Sequence, residues 1–149
     1  ASHESCQIIL PSDVMMAPDF GPCETPTEAM IDNVPDNMMI LDAGSKSIET
    51  IVNHMNDCKT LVWNGPLGAF ELKPFDRGTN LASRHAAKLT VEQKLISIAG
   101  GGDTVAALNH SDAAEDFTYV STAGGAFLEW LEGKTLPGVK ALEKSTKDS

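Results

Sequence analysis

Four of the five short apolar runs in this sequence are followed by a glycine-containing turn that leads toward a helix. The runs lie at 7–10, 38–41, 60–63, 95–99 and 117–120, and the turns read DAGS (42–45), NGPLG (64–68), GGGDT (100–104) and TAGG (122–125). Each run is too short for a helix, and several are continuous, which is typical of buried parallel strands. Strands that alternate with helices predict an α/β fold with a mostly parallel sheet and right-handed crossovers.

The segments between these runs have helical periodicity. Ser45–Asp57 carries one apolar stripe at three- and four-residue spacing, formed by Ile48, Ile51, Val52 and Met55. Further helices are predicted at 76–89, 103–109, 124–132 and 137–142, with Gly133 ending the fourth and Pro137 in the first turn of the last. The proline-rich segment 15–36 departs from this pattern, and we expect a surface excursion there, with a small antiparallel pair.

Length and charge limit the class of protein. With 149 residues, 42% hydrophobic and 21% charged, the chain is expected to form one soluble domain. A net charge of -10 argues against nucleic acid or an anionic membrane as partner, and no apolar run approaches the roughly 18 residues of a membrane span. Three widely spaced cysteines favour a reducing cytoplasm. The abrupt start without Met suggests that upstream sequence has been removed.

The four turns are the place where a ligand is expected. In an open parallel sheet the strand ends that precede such turns lie along one edge, so we expect the turns to meet there. Glycine allows close approach to the backbone, and the free N–H groups of a helix start favour phosphate. The sequence lacks both GxxxxGK[ST] and GxGxxG. From the residues alone, a nucleotide or anion site and a set of merely tight turns remain equally open.

Asp103 stands beside three glycines at a predicted helix start. It could cap that helix or hold Mg²⁺ on the phosphates of a nucleotide, and the residues alone favour capping. The cations near the turns are only Lys46, Lys73 and Arg77. A polyphosphate would therefore need Mg²⁺, or basic residues from sequence that is absent here.

The amino-acid sequence around these turns resembles that of a known family. The segments TLVWNGPLGAFE (60–71), PFDRGT (74–79), SIAGGGDTVAAL (97–108) and TYVSTAGGAFLEWLEGKTLPGVKAL (118–142) resemble, in order and spacing, the C-terminal half of phosphoglycerate kinases. The resemblance runs from about residue 8 to residue 142. It implies a three-layer αβα, Rossmann-like fold, with 1–142 as a partial nucleotide-binding domain and 143–149 as a polar tail.

The activity implied by the resemblance is reversible phosphoryl transfer between 1,3-bisphosphoglycerate and ADP, with Mg²⁺, giving 3-phosphoglycerate and ATP in glycolysis and gluconeogenesis. The family has two lobes, usually in a monomer, and this chain resembles most of the nucleotide lobe. The glycerate-binding lobe, its catalytic arginine and the phosphate-binding lysines lie outside the matched segments. We therefore expect the isolated chain to bind nucleotide without transferring phosphate.

The family's site residues carry over onto matching positions. Asn64, Gly65 and Pro66 would lie near the phosphates and base of ATP or ADP, and Glu71 would bond the ribose hydroxyls. Asp103 would face the metal, while Gly101, Gly102 and Thr104 would line the phosphates. The catalytic residues would be Gly102, Gly124 and Gly125, whose N–H groups would stabilise the charge on the phosphoryl group during its transfer.

Two positions depart from the family pattern. DAGS stands where the family usually has DxGP, and Ala123 stands where a third glycine is usual. Two other functions are also considered: a stand-alone nucleotide- or anion-binding module without catalysis, and an interaction domain whose glycines only make turns. An incomplete lobe, unlike a complete module, predicts an exposed apolar patch.

Overall fold

The computed structural model describes residues 6–123, 125, 129 and 132–135. Strands and helices alternate along most of this part of the chain. In order they are β1 (Asp13–Ala17), β2 (Thr27–Met30), β3 (Met39–Ala43), α1 (Ser45–Asp57), β4 (Thr60–Trp63), α2 (Arg77–Val91), β5 (Ile96–Gly100), α3 (Gly102–His110) and β6 (Tyr119–Ser121). Short 3-10 turns follow β2 at Ile31–Asn33 and α3 at Ala114–Asp116.

The strands form two three-stranded sheets. β4, β5 and β6 are parallel, in that order, and Thr60 pairs with Ile96 while Ile98 pairs with Tyr119. α2 and α3 contact this sheet. The parallel sheet with its helices confirms the predicted α/β class.

The other sheet is antiparallel, in the order β2, β1, β3. β1 is the central strand of this sheet, and all five of its residues are buried. The predicted parallel direction of the run at 38–41 is therefore wrong: β3 pairs antiparallel with β1. An apolar run predicts a strand but does not encode its direction. It also overstates the burial here, because Met39 and Ile40 are exposed.

The N-terminal strand was expected at 7–10 and lies at β1 instead. Residues 7–10 are exposed and make no ladder, and Pro11, which has no N–H to donate, separates them from β1. The predicted excursion at 15–36 is correspondingly too long, because Met15 and Met16 belong to β1. The small antiparallel pair expected within that region is confirmed by β1 and β2.

The predicted helices agree with the structure more closely than the predicted strands do. α1 has the predicted bounds, and α2 and α3 differ from theirs by at most two residues at either end. The expected helix end at Gly133 is confirmed by its φ of 77° and by the Lys134 N–H, which donates to the Glu129 carbonyl over 2.9 Å. The remainder of 124–132, the helix at 137–142 and the tail at 143–149 fall outside the described residues.

The larger apolar core lies between α2, α3 and the parallel sheet. Small alanines on α2 allow the helix to approach the sheet closely, and the core includes Trp63, Ala82, Ala86, Leu108 and Phe117. A smaller core beside the antiparallel sheet contains Met15, Leu41 and the fully buried Phe75. Among the described residues, no helix is both long and apolar enough to span a membrane.

Candidate functional site

The turns after β4, β5 and β6 meet at one edge of the parallel sheet. The Gly65 N–H, after β4, donates to Thr104 Oγ1 in the first turn of α3 over 2.7 Å. The Gly101 N–H, after β5, donates to the Ser121 carbonyl at the end of β6 over 3.0 Å. The predicted meeting of turns is confirmed for these three strand ends.

Two of the glycines in these turns adopt backbone conformations that other residues rarely take. Gly65 has a φ of 97° and Gly101, the N-cap of α3, has a φ of 106°. A Cβ built on Gly101 would lie 3.4 Å from Thr104 Oγ1 and 3.9 Å from Asn64 Oδ1. The side chains of Asn64 and Thr104 thus flank the backbone of the GGGDT turn at Gly101.

The first turn does not join this edge as a ligand site. Its helix start is already occupied by the protein's own carboxylates, since the Lys46 and Ser47 N–H groups donate to Asp13 over 2.9 and 2.7 Å. The Ser45 N–H donates to Glu28 over 2.8 Å. A Cβ on Gly44 would overlap the Asp13 carboxyl. The N–H groups of residues 45–47 are therefore already bonded within the protein and are not available to a phosphate.

Asp103 does not cap α3. The N-cap is Gly101, so Asp103 lies inside the first helical turn, exposed, and its carboxylate has no hydrogen bond to any residue that the structure describes. The capping interpretation favoured by the residues alone is wrong, because GGGDT starts the helix one residue before Asp103.

The position of Asp103 suits Mg²⁺ on a nucleotide. Mg²⁺ is usually held by one or two carboxylates together with phosphate oxygens and waters. Within the described part of the chain no three His, Cys, Asp or Glu side chains gather into a metal cluster. A single carboxylate beside an open glycine turn fits a cation that arrives with its phosphates.

The other expected site residues occupy different positions along the edge. Asn64 and Gly102 are exposed, and Pro66 is half-buried. Glu71 is exposed in the loop between β4 and α2, and its side chain has no hydrogen bond to the described turn residues. Gly125 is exposed, and a Cβ built on it would have no described atom within 4 Å, while Gly124 lies outside the described residues.

The nearby cations lie toward α1. Arg77 Nη1 donates to Ser45 Oγ over 3.2 Å, and Lys46 Nζ lies 3.8 Å from Met30 Sδ. Lys73 is exposed in the loop before α2.

Several residues that shape the site were not found from the sequence. The Trp63 indole donates to the Gly65 carbonyl over 2.6 Å, and the Leu67 N–H donates to Thr79 Oγ1 over 3.0 Å. Asp42, at the end of β3, accepts the Gly78 N–H over 2.7 Å and so anchors the start of α2. These partners are separated in sequence by up to 36 residues. They lie within the quoted motifs, but nothing in the motifs indicates which residues bond to one another.

The chain is similar to known proteins over most of its length. A family model described as phosphoglycerate kinase matches residues 1–134. The chain belongs to the phosphoglycerate kinase family. Phosphoglycerate kinases of Rhodopseudomonas palustris and Methylorubrum populi are 59% identical over 144 residues and 58% identical over 142 residues, which cover 96% and 95% of this chain.

Solved phosphoglycerate kinases have the same fold. The structure from Coxiella burnetii superposes with a TM-score of 0.86 at 39% identity, covering 99% of this chain and 37% of that one. The structure from Pyrococcus horikoshii gives 0.76 at 25% identity, covering 93% and 33%. The chain thus spans about a third of the length of its relatives, 36% for both curated phosphoglycerate kinases named above.

Proposed function

We propose that this chain supplies the nucleotide-binding part of a phosphoglycerate kinase. The reaction of the whole enzyme is reversible phosphoryl transfer between 1,3-bisphosphoglycerate and ADP, giving 3-phosphoglycerate and ATP in glycolysis or gluconeogenesis. The observation that carries the proposal is the 2.7 Å bond between Gly65 and Thr104, which joins the NGP and GGGDT turns beside the exposed Asp103. Family membership supplies the substrate class.

In this proposal the nucleotide lies along the joined turns. Asn64, Gly65 and Pro66 contact its phosphates and base, and Glu71 bonds the ribose. Gly101, Gly102 and Thr104 line the phosphates through their backbone, since the Thr104 side chain is buried and its hydroxyl accepts the Gly65 N–H. Asp103 is the protein ligand of Mg²⁺, whose charge offsets that of the phosphates when it is bound. The N–H groups of Gly102, Gly124 and Gly125 stabilise charge on the transferred phosphoryl group.

The 149-residue chain is proposed to bind nucleotide without turnover. Phosphoryl transfer depends on positioning an acceptor in line with the phosphoryl group and on neutralising charge, and loss of one stabilising arginine costs on the order of 10³–10⁵ in rate. The chain spans only about a third of its relatives, and the glycerate-binding part is expected in the remainder. ATP formation above a buffer control by the purified chain would contradict this proposal.

The partners and compartment follow from the same proposal. The partners are ATP or ADP and, in the whole enzyme, 3-phosphoglycerate or 1,3-bisphosphoglycerate, with no nucleic acid or membrane, and the whole enzyme acts as a monomer. A net charge of -10 supports the exclusion of nucleic acid. Cys6, Cys23 and Cys58 are all free thiols, which supports a cytoplasmic location.

The experiment is thermal unfolding of the purified chain with Mg²⁺ alone and with Mg²⁺ plus ADP. At a ligand concentration of about 100 Kd, binding adds about 2.7 kcal/mol to the free energy of unfolding. The midpoint should then rise by roughly 5–10 °C. Asp103→Asn removes the proposed ligand charge with little change in shape, so the Mg²⁺-dependent part of the shift should shrink.

The matched control is Glu115→Gln, which also neutralises an exposed acid but lies in the turn after the C-terminal end of α3. It should retain the full shift. The proposal fails if ADP does not raise the midpoint of the unaltered chain, or if Glu115→Gln loses as much of the shift as Asp103→Asn. The remaining part of a phosphoglycerate kinase can also be added to the chain. If ADP then still raises the thermal midpoint fully but no ATP is formed, a stand-alone binding module is favoured.

A further inference from the structure

The peptide units on either side of Gly65 are held by hydrogen bonds. The Gly65 N–H donates to Thr104 Oγ1 over 2.7 Å, and the Gly65 carbonyl accepts the Trp63 indole N–H over 2.6 Å. Together these two bonds fix both backbone groups of a residue whose φ is 97°. A glycine held in this way loses the conformational freedom that it would otherwise have.

Both partners of Gly65 are themselves fixed by the core. Thr104 is 2% exposed, on a helix whose Ala107 and Leu108 are buried. Trp63 is 6% exposed and meets Phe117 edge-on, with the ring centroids 6.2 Å apart. The two contacts therefore connect the turn to the rigid part of the molecule.

We propose that the Thr104 hydroxyl is a positioning group that acts on the nucleotide site through Gly65. This inference rests on the proposed nucleotide site and assigns a specific role within it. Gly65 lies between Asn64 and Pro66, so a fixed Gly65 peptide holds both neighbours in place before a ligand arrives. Ordering the turn in advance removes an entropy cost from binding.

The chain contains a matched comparison for this bond. Thr79 on α2 is also fully buried, and its hydroxyl accepts the Leu67 N–H of the same loop over 3.0 Å. The two threonines thus carry out the same chemistry from two helices, on N–H groups two residues apart. Removing either hydroxyl should release one N–H group and leave the other held.

The first test is amide hydrogen exchange of the ¹⁵N-labelled, ligand-free chain, followed by NMR. Thr104→Val keeps the shape but loses the hydroxyl, and Gly65 should then exchange roughly 3- to 10-fold faster, while Leu67 is unchanged. Thr104→Ser should restore slow exchange at Gly65. Thr79→Val should reverse the pattern, accelerating Leu67 and sparing Gly65.

Thr104→Ala serves the same purpose if the valine variant does not fold. The inference is overturned if Gly65 exchanges at the unaltered rate in a folded variant that lacks the hydroxyl. It is equally overturned if Gly65 in the unaltered chain exchanges as fast as an unstructured peptide, a result that requires no variant.

The second test is the affinity for Mg²⁺-ADP by calorimetry. Thr104→Val should weaken binding roughly 3- to 10-fold, with Thr104→Ser close to the unaltered chain. If Thr104→Val exchanges faster at Gly65 and yet binds Mg²⁺-ADP with unaltered affinity, the role of the Thr104 hydroxyl in binding is overturned. The hydroxyl then has only a structural role. If the unaltered chain does not bind Mg²⁺-ADP at all, the proposed function fails, while the exchange test still decides whether Thr104 holds Gly65.

Discussion

Two buried aspartates have pKa values shifted in opposite directions. Burial raises the pKa of Asp13, but hydrogen bonds from the Ser47 hydroxyl and from the Lys46 and Ser47 N–H groups outweigh it and lower the pKa to about 2. For Asp42 burial is the larger effect, the Gly78 and Ala43 N–H groups offset it only in part, and the pKa is raised to about 6. Asp13 accepts more hydrogen bonds, whereas Asp42 is affected more strongly by burial and also lies near the negative charge of Asp76.

Asp42 therefore gives the protein an unusual dependence on pH. Because its folded pKa of about 6 lies above the ordinary 3.8, its contribution to stability is complete below pH 3.8 and is lost as the pH rises through 6. Lowering the pH from 7 to 4.5 should raise the free energy of unfolding by about 1–2 kcal/mol through this group. Urea unfolding at several pH values measures it.

Asp42→Asn should remove this increase, since an amide does not titrate. It should also lower stability at pH 5, because the amide NH₂ cannot accept the Gly78 N–H that Asp42 Oδ2 accepts over 2.7 Å. Asp57→Asn, at the exposed end of α1, is the control and should leave the pH dependence intact. An unchanged difference between pH 7 and pH 4.5 in Asp42→Asn would refute the assignment to this residue.

At the scale of the elements, the start of α1 is fixed by a residue of β1. The N-cap Gly44 has no side chain to cap the helix, and Asp13 supplies the acceptors from 33 residues earlier in the chain. Asp13 also accepts the Ser47 hydroxyl over 2.6 Å. One carboxylate thus joins the antiparallel sheet to the first helix.

Asp13→Ala should cost about 2–4 kcal/mol in the free energy of unfolding, because it leaves the buried Ser47 N–H and the part-buried Lys46 N–H without partners. Glu28→Ala removes a carboxylate from the same helix start but at an exposed site, so it should cost under about 1 kcal/mol. Chemical denaturation at pH 7 compares the two. Equal costs would mean that burial of the Asp13 carboxylate is not what matters.

The predicted elements are correct where the local sequence pattern determines the structure. They are wrong where a pairing partner far away in the sequence determines it. The stripe of α1 and the NGP and GGGDT turns are local, and the structure has them as expected. The direction of β3, the displacement of the first strand from 7–10 to β1, and the filling of the DAGS turn by Asp13 each depend on pairing across tens of residues. Periodicity contains no information about such partners.

For the candidate site, the sequence identified the turns but not what holds them. The Trp63 indole and the Thr79 hydroxyl bond the backbone of the β4 loop, yet neither residue type in isolation indicates such a role. Asp103 was recognised, and only the register of its helix decided against capping. Asp103 lies two residues after the N-cap Gly101, so a shift of two residues in the helix boundary separates a cap from an exposed carboxylate.

At the scale of the whole molecule, one face of the parallel sheet is exposed in the part of the chain that the structure describes. Val62, Ile96 and Tyr119 are 43%, 53% and 57% exposed, and the register puts them on the same face. The opposite face carries Trp63 and Ala99, which are buried. Parallel sheets are usually covered on both faces, so this apolar surface is the feature by which an incomplete lobe can be distinguished from a self-sufficient module.

We expect the native chain to bind a hydrophobic dye such as ANS through this face, since contiguous exposed apolar surface is uncommon on monomeric proteins. Ile96→Thr keeps a β-branched side chain at the start of the central strand while reducing the apolar area of this face, so dye fluorescence should fall. Val91→Thr likewise puts threonine in place of an exposed β-branched apolar residue, but at the end of α2 and not on the sheet strands, and should leave the fluorescence unchanged. Native-state fluorescence no higher than that of a compact control protein would instead mean that the face is covered in solution, as a self-sufficient module requires.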